Sequence, residues 1–412
     1  LMAYIFGLLI ERYQSVPKLA RLFLALSVSS SLLMLGYFKY ADFFIRNVNA
    51  VTGCSISLLN ITLPIGISFY TFQILSYTVD VYRQDVKAQR NLIDLATYVA
   101  LFPQLIAGPI VRYSDIAEQL KGRIHTMGKT AQGIRRFILG LGKKILIANL
   151  LGELCSIFRA SDDKSVLFFW LYAVAYTLHV YFDFSGYSDM AIGIGEFFGI
   201  TLPENFEYPY LACSVGEYWR RWHISLSSWF RDYVYIPLGG SRCRLRRTCL
   251  NLLIVFALTG LWHGAAWQYV VFGLLHGMIL CMERLGLRRA LEQLPRLFRH
   301  LYTVVLLWLT LVIFGAPGLS EGLAVLKGIF TWQSGAKGYT LAAFADTKLL
   351  LILAASFLLC GPVQALCPKL KAALYAKKAP SPAGMAGLLV LLFLGLMRVT
   401  AGTYSAFIYF QF

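Results

Sequence analysis

Apolar runs separated by short, mostly basic loops make up nearly the whole chain. Residues 2–10, Leu22 to Phe38, Leu58 to Val79, Val166 to Phe182, Leu301 to Phe314, Leu349 to Leu366 and Met385 to Met397 read as membrane-spanning helices or parts of them, since about 20 apolar residues carry a helix across a bilayer. Ile145 to Phe158 and Met190 to Ile200 are shorter runs of the same kind. Leu92 to Val111 differs, because Phe102-Pro103-Gln104 and Gly108-Pro109 interrupt it. Proline removes a backbone donor, and broken backbone at membrane depth survives only where protein or a water-filled cavity covers it. A kinked or re-entrant segment is expected there. The polar stretch from Asp183 to Asp189 separates two apolar runs, and Gln119 to Lys144 is basic and amphipathic.

Composition narrows the class. Hydrophobic residues make up 58% and charged residues 14%, with a mean hydropathy of +0.62. Globular chains carry about 25% charged residues, so a soluble fold is excluded. No polar region is long enough to fold alone, and no internal repeat is visible. The chain reads as one all-α, polytopic membrane domain over residues 1–412. It opens at Leu1 inside an apolar run, which suggests that one or more preceding helices are missing. The formal net charge of +17 arises from Lys and Arg gathered between the apolar runs. That is the positive-inside pattern of cytoplasmic loops; it points to a lipid bilayer and not to nucleic acid. Eight cysteines show neither a CxxC pair nor His/Cys metal spacing, so no metal site is expected.

One stretch is explained neither as span nor as loop. From Val215, the residues Trp219, Trp222, Leu226, Trp229 and Tyr233 recur at helical spacing. Glu217 to Tyr235 is too polar to span, so a helix lying at the interface, with its tryptophans toward hydrocarbon, is expected. His223 falls on the border of the two faces, where it could equally bond a headgroup or the backbone. Farther on, the apolar arms Thr248 to Trp262 and Ala265 to Met282 are flanked outside by Arg242, Arg244, Arg246 and Arg247, and by Arg284, Arg288 and Arg289. Both outer ends then face the cytoplasm, and each arm is marginal in length. The pattern predicts a hairpin of short helices with Gly260, Trp262, His263 and Gly264 at its turn. A histidine deep in the membrane is a functional candidate by default; the alternative is a neutral, satisfied core histidine. His179 and His276, with no such turn around them, fit that alternative better, and His125 and His300 lie in basic loops.

Imidazole takes and returns a proton near neutral pH. No phosphate loop, paired carboxylates, metal cluster or nucleophile elbow accompanies these histidines. A reaction needing one base and a preformed channel fits, such as group transfer from an activated donor to a hydroxyl. A transporter would call for broken segments at matching places in two halves, and none is found.

The run from Trp219 to Gly240, WRRWHISLSSWFRDYVYIPLGG, and LWHGAAW from Leu261 to Trp267 resemble the membrane-bound O-acyltransferase family, in its bacterial branch that contains the alginate O-acetyltransferase membrane subunit. Similar to that branch are also FPQLIAGPI (Phe102 to Ile110), YFDFSGYSDMAIG (Tyr181 to Gly193), PENFEYPY (Pro203 to Tyr210) and the FIYFQF end. The resemblance implies a ring of tilted transmembrane helices with short or re-entrant helices around a central tunnel, and His263 at its narrow point. It further implies His263 as catalytic base, with His223 assisting. The donor would be a cytoplasmic acyl thioester, acetyl-CoA or an acyl-carrier thioester. The acceptor would be a hydroxyl on an extracytoplasmic polysaccharide or on a partner acetyltransferase of the SGNH type. The setting would be a bacterial inner membrane. Arg220 and Arg221 would attract the donor's phosphates, unless they only set topology. A close variant would transfer D-alanine to teichoic acid.

Overall fold

The computed structural model describes residues 1–106, 108–162, 164–332, 347–369, 375, 381–402 and 407. Among these, every regular element is helical. Six helices are long and apolar enough to cross a membrane: Pro17–Thr52, Val166–Phe197, Leu245–His263, Trp267–Glu292, Arg296–Phe314 and Pro382–Thr400. Pro382–Thr400 shows how lipid-facing the exterior is, with Leu389, Val390 and Phe393 exposed. The basic residues Lys371, Lys377 and Lys378, and all of the aromatic end but Phe407, lie outside the described residues.

Val166–Phe197 is the central helix, and it runs unbroken through the polar stretch between the two apolar runs. The reason is pairing. Asp189 takes Arg136 at 2.9 Å and Lys143 at 2.6 Å, and Asp183 takes Lys144. Those cations belong to Met127–Gly142 and Lys143–Ala148, which pack along the central helix. The basic, amphipathic stretch therefore turns several of its charges inward. Glycine permits the approach: a Cβ on Gly193 would lie 2.6 Å from the Gly133 carbonyl oxygen.

Two other expectations change. Leu58 to Val79 is not one span, because only Ile67–Arg83 is helical. Pro64 lacks an N–H and disfavours helix before it; Gly66, at φ 76°, starts the helix in the left-handed region. The hairpin arms are longer than the apolar pattern indicated. The first helix continues through Arg246 and Arg247 to Leu245, since arginine is a good helix former whose stem can lie along apolar surface while its head reaches water. The expected kink is present: Leu92–Ala100 ends, and a short turn, Phe102–Leu105, follows with Gln104 Nε2 donating to the Tyr98 carbonyl at 2.6 Å.

Helices enclose the polar segment between Pro203 and Tyr235. Trp229 stacks on Phe72 of Ile67–Arg83, with centroids 3.8 Å apart. Trp219 contacts Phe256 and His276 of the hairpin, and Phe184 of the central helix meets His223. The segment is a core, not a cover.

Candidate active site

The helix expected over Glu217 to Tyr235 is broken in two, Val215–Arg221 and Ile224–Phe230, with the break at His223. His223 has φ 44° and ψ 54°. A non-glycine residue pays about 1–3 kcal/mol for such a conformation, which persists only where its surroundings impose it. Here the Ile224 N–H donates to the Asn205 carbonyl at 3.0 Å. The tryptophans accordingly face the interior instead of hydrocarbon. Their indole N–H groups find buried acceptors, Trp219 on His276 Nδ1 at 3.0 Å and Trp229 on the Phe72 carbonyl at 3.1 Å.

His223 is wholly buried, with 0% exposure. Its Nδ1 lies 3.1 Å from Asn205 Oδ1. The orientation of that amide is set, because the same oxygen accepts the Ser225 backbone N–H, while Asn205 Nδ2 donates to Ser188 Oγ at 3.1 Å. A backbone N–H can only donate, so the atom facing His223 is an acceptor and Nδ1 carries the proton. Nε2 is then the lone-pair nitrogen, and among the described residues it has no hydrogen-bond partner. Burial, and then His263, hold the ring well below the ordinary histidine pKa.

His263 is the last residue of its helix, and Gly264 is extended. The final carbonyls of a helix lack intrahelical partners, and another element supplies them. Lys39 Nζ donates to the Trp262 carbonyl and, at 3.5 Å, to that of His263, while Tyr40 Oη–H donates to the Leu261 carbonyl at 2.7 Å. Both come from a π-turn, Gly36–Tyr40, in the first spanning helix. The Trp262 ring lies between the two histidines, its centroid 6.0 Å from His223 and 5.1 Å from His263.

Two cavities approach this turn. A larger one, of about 1070 Å³, is lined by Arg220, Ile224, Thr259, Arg284, Arg288 and Arg289 among others. A smaller one, of about 340 Å³, is lined by Lys39, Ser68, Ile106, Trp262 and His263 among others. Helix Leu245–His263 contributes to both. Leu245, Leu252, Val255, Phe256 and Thr259 line the basic cavity and Trp262 and His263 the other; Thr259 and His263 are about 6 Å apart along the axis at 1.5 Å per residue.

The remaining candidates separate cleanly. Arg220 lines the basic cavity, whereas Arg221 pairs with Glu217 at 2.9 Å. Burial pushes the Glu217 carboxyl up, but the Cys213 N–H and Arg221 outweigh it and hold it below the usual range. His276 is satisfied on both sides, by Trp219 and by Thr310 Oγ1 at 3.1 Å, and His179 Nδ1 lies 2.8 Å from the Ala148 carbonyl. Asp232 pairs with the adjacent Arg231 and also binds Arg112 at 2.6 Å, which ties residue 112 to this segment.

A family model described as "MBOAT, membrane-bound O-acyltransferase family" matches residues 83–320, which include both histidines and both arginines. The chain belongs to the membrane-bound O-acyltransferase family. It is an O-acyltransferase of the multi-pass, all-α membrane class. Among its relatives, the protein named "Probable alginate O-acetylase AlgI" of Azotobacter vinelandii is 38% identical over 95% of this chain and 85% of its own length. The protein of the same name in Pseudomonas putida is 41% identical over 96% of this chain and 85% of its own. The "Peptidoglycan O-acetyltransferase" of Helicobacter pylori is 37% identical over 75% of this chain and 64% of its own. Within the acyltransferase, Asn205 and Lys39 are the neighbours of the two histidines that motif reading passed over. Asn205 lies within PENFEYPY, where nothing in the pattern marks its amide, and Lys39 follows an apolar run as a membrane-boundary lysine does.

Proposed function

We propose that this O-acyltransferase moves an acetyl group from a cytoplasmic acyl thioester, acetyl-CoA or an acyl-carrier thioester, to a hydroxyl on the other side of a bacterial inner membrane. The acceptor is an extracytoplasmic polysaccharide or an SGNH-type partner that passes the group on. The observation that carries this reading is the shared helix. Its Leu245, Leu252, Val255, Phe256 and Thr259 line a cavity that Arg220, Arg284, Arg288 and Arg289 make basic, as suits a phosphate-rich donor, and its last residue, His263, lines a second cavity. The three relatives named above are described as O-acetylating alginate or peptidoglycan, which supports acetyl over D-alanyl as the group transferred.

In the proposed step, His263 removes the acceptor hydroxyl proton as that oxygen attacks the thioester carbonyl, then returns the proton to the departing thiolate. Arg220, with Arg284, Arg288 and Arg289, holds the donor. His223, which meets the Trp262 ring as His263 does but is not among the lining residues of either cavity, assists by accepting a hydrogen bond at Nε2. The test is to supply acetyl-labelled acetyl-CoA to membrane vesicles and look for base-labile label in polymer or protein. Label only from a D-alanyl carrier thioester would overturn the acetyl assignment.

Asn205 provides a separate check on His223. An Asn205→Asp change puts a carboxylate on Nδ1–H and favours the imidazolium, so the His223 pKa rises. The neutral ring is then lost at a higher pH on acidification. The acidic limb of the pH–rate profile is expected to move to higher pH, and an unmoved limb would show that His223 does not act through Nε2.

A further inference from the structure

The proposed transfer generates a negative oxygen on the thioester carbon, which neither His263, taking the acceptor proton, nor His223, with its lone pair at Nε2, neutralises. The smaller cavity holds a pair of donors suited to the task. Among the described residues that line it, Lys39 and His263 are the only ionisable side chains, and the others are apolar apart from Ser68. Among the described residues Lys39 forms no ion pair. An ammonium placed in apolar surroundings without a carboxylate is costly and calls for a compensating role. Its Nζ donates to Ser68 Oγ at 3.0 Å and to the Trp262 carbonyl, while the contact to the His263 carbonyl is long, at 3.5 Å. One ammonium proton is thus weakly engaged. In the protonated state that this role requires, Nζ can only donate, so Ser68 Oγ accepts from it and keeps its own hydroxyl proton to donate elsewhere.

We propose that Lys39 Nζ and the Ser68 hydroxyl form the oxyanion cradle of the acyltransferase, binding the anionic oxygen of the tetrahedral adduct beside His263. The inference rests on the acyl-transfer reading given above. The acceptor oxygen bonds to the acyl carbon and its proton goes to His263. The carbonyl π pair moves onto the former carbonyl oxygen, which takes hydrogen bonds from Lys39 and Ser68. On collapse the C=O bond re-forms, the C–S bond breaks, and the thiolate receives the proton from His263. Preorganised donors aimed at developing charge in a water-poor site act on the transition state and leave ground-state binding of the donor little changed.

The experiment compares wild type, Lys39→Met, Lys39→Arg, Ser68→Ala and His263→Ala in membrane vesicles from the host, with acetyl-labelled acetyl-CoA and the endogenous acceptors. Removing one oxyanion donor costs about 10²–10³ in kcat in well-studied sites. Lys39→Met is expected to fall in that range, with the KM for acetyl-CoA within about threefold of wild type because the donor enters by the other cavity. Lys39→Arg keeps the charge and recovers part of the loss, and Ser68→Ala loses a smaller factor at unchanged stability. The proposal is overturned if Ser68→Ala and whichever Lys39 variant folds both turn over at the wild-type rate, or if their effect is confined to KM. Should neither Lys39 variant accumulate, Ser68→Ala decides alone by the same criterion. A fully active His263→Ala would instead overturn the transfer mechanism itself, so the two failures are distinguishable.

Discussion

His263→Ala is expected to lower acyl transfer by about 10²–10⁴, the span that a positioned general acid–base contributes, while leaving the protein folded. The side chain ends a helix and faces a cavity, so its removal enlarges an existing space and does not open a new void in packed core. The Lys39 and Tyr40 bonds to the helix end go to backbone carbonyls, which the substitution leaves in place. His276→Ala is the informative contrast. It removes the acceptor of the Trp219 indole, leaving that buried N–H unpaired at about 1–3 kcal/mol, whereas Thr310 keeps its bond to the Leu306 carbonyl. His276→Ala should therefore lower the thermal midpoint at near-normal specific activity, and His263→Ala should do the reverse. Initial rates of ester formation, measured beside unfolding of the purified proteins in detergent, check both. A His263→Ala enzyme that transfers at more than about a tenth of the wild-type rate is incompatible with a general base acting alone.

The hairpin with His263 at its turn was legible because two independent patterns agreed on it. Two apolar arms, Thr248 to Trp262 and Ala265 to Met282, meet at His263 and Gly264, and arginines close both outer ends. Periodicity also found the right face for Trp219, Trp222 and Trp229, yet assigned that face to lipid. Amphipathicity reports which residues share a side, not whether protein or hydrocarbon covers it. The break at His223 was invisible for a different reason. Its left-handed backbone is imposed by Asn205, a residue 18 positions away, and local propensity carries no record of such a constraint. Lys39 was hidden by a rule that is usually sound, that a lysine after an apolar run marks the membrane boundary. Its π-turn re-aims it inward, and nothing in Gly36 to Tyr40 announces one. Asp183 and Asp189 did carry a signal. Acids inside an apolar run demand partners, and the adjacent Lys143 and Lys144 were candidates in plain view, which would have argued for a continuous helix.

Those buried acids lead to the largest stability effect. Asp189 is shared by Lys143 at 2.6 Å and Arg136 at 2.9 Å, and its side chain is only 7% exposed. Breaking a buried pair by removing one partner costs about 3–5 kcal/mol, because a desolvated charge is left behind. Asp189→Ala strands Lys143 in this way, whereas Arg136 keeps Glu204. The substitution should destabilise the enzyme by about that amount in detergent or bicelles. Removing the cation as well, in Asp189→Leu with Lys143→Met, should recover most of the loss, since an apolar pair of similar volume is often as stable as the ion pair it replaces. Equilibrium unfolding of both proteins separates this from simple packing damage, which the second substitution would only deepen. A loss for Asp189→Ala of no more than about 1 kcal/mol, the worth of an exposed pair, would mean that water reaches this site and that the central helix is held through its polar stretch by packing alone.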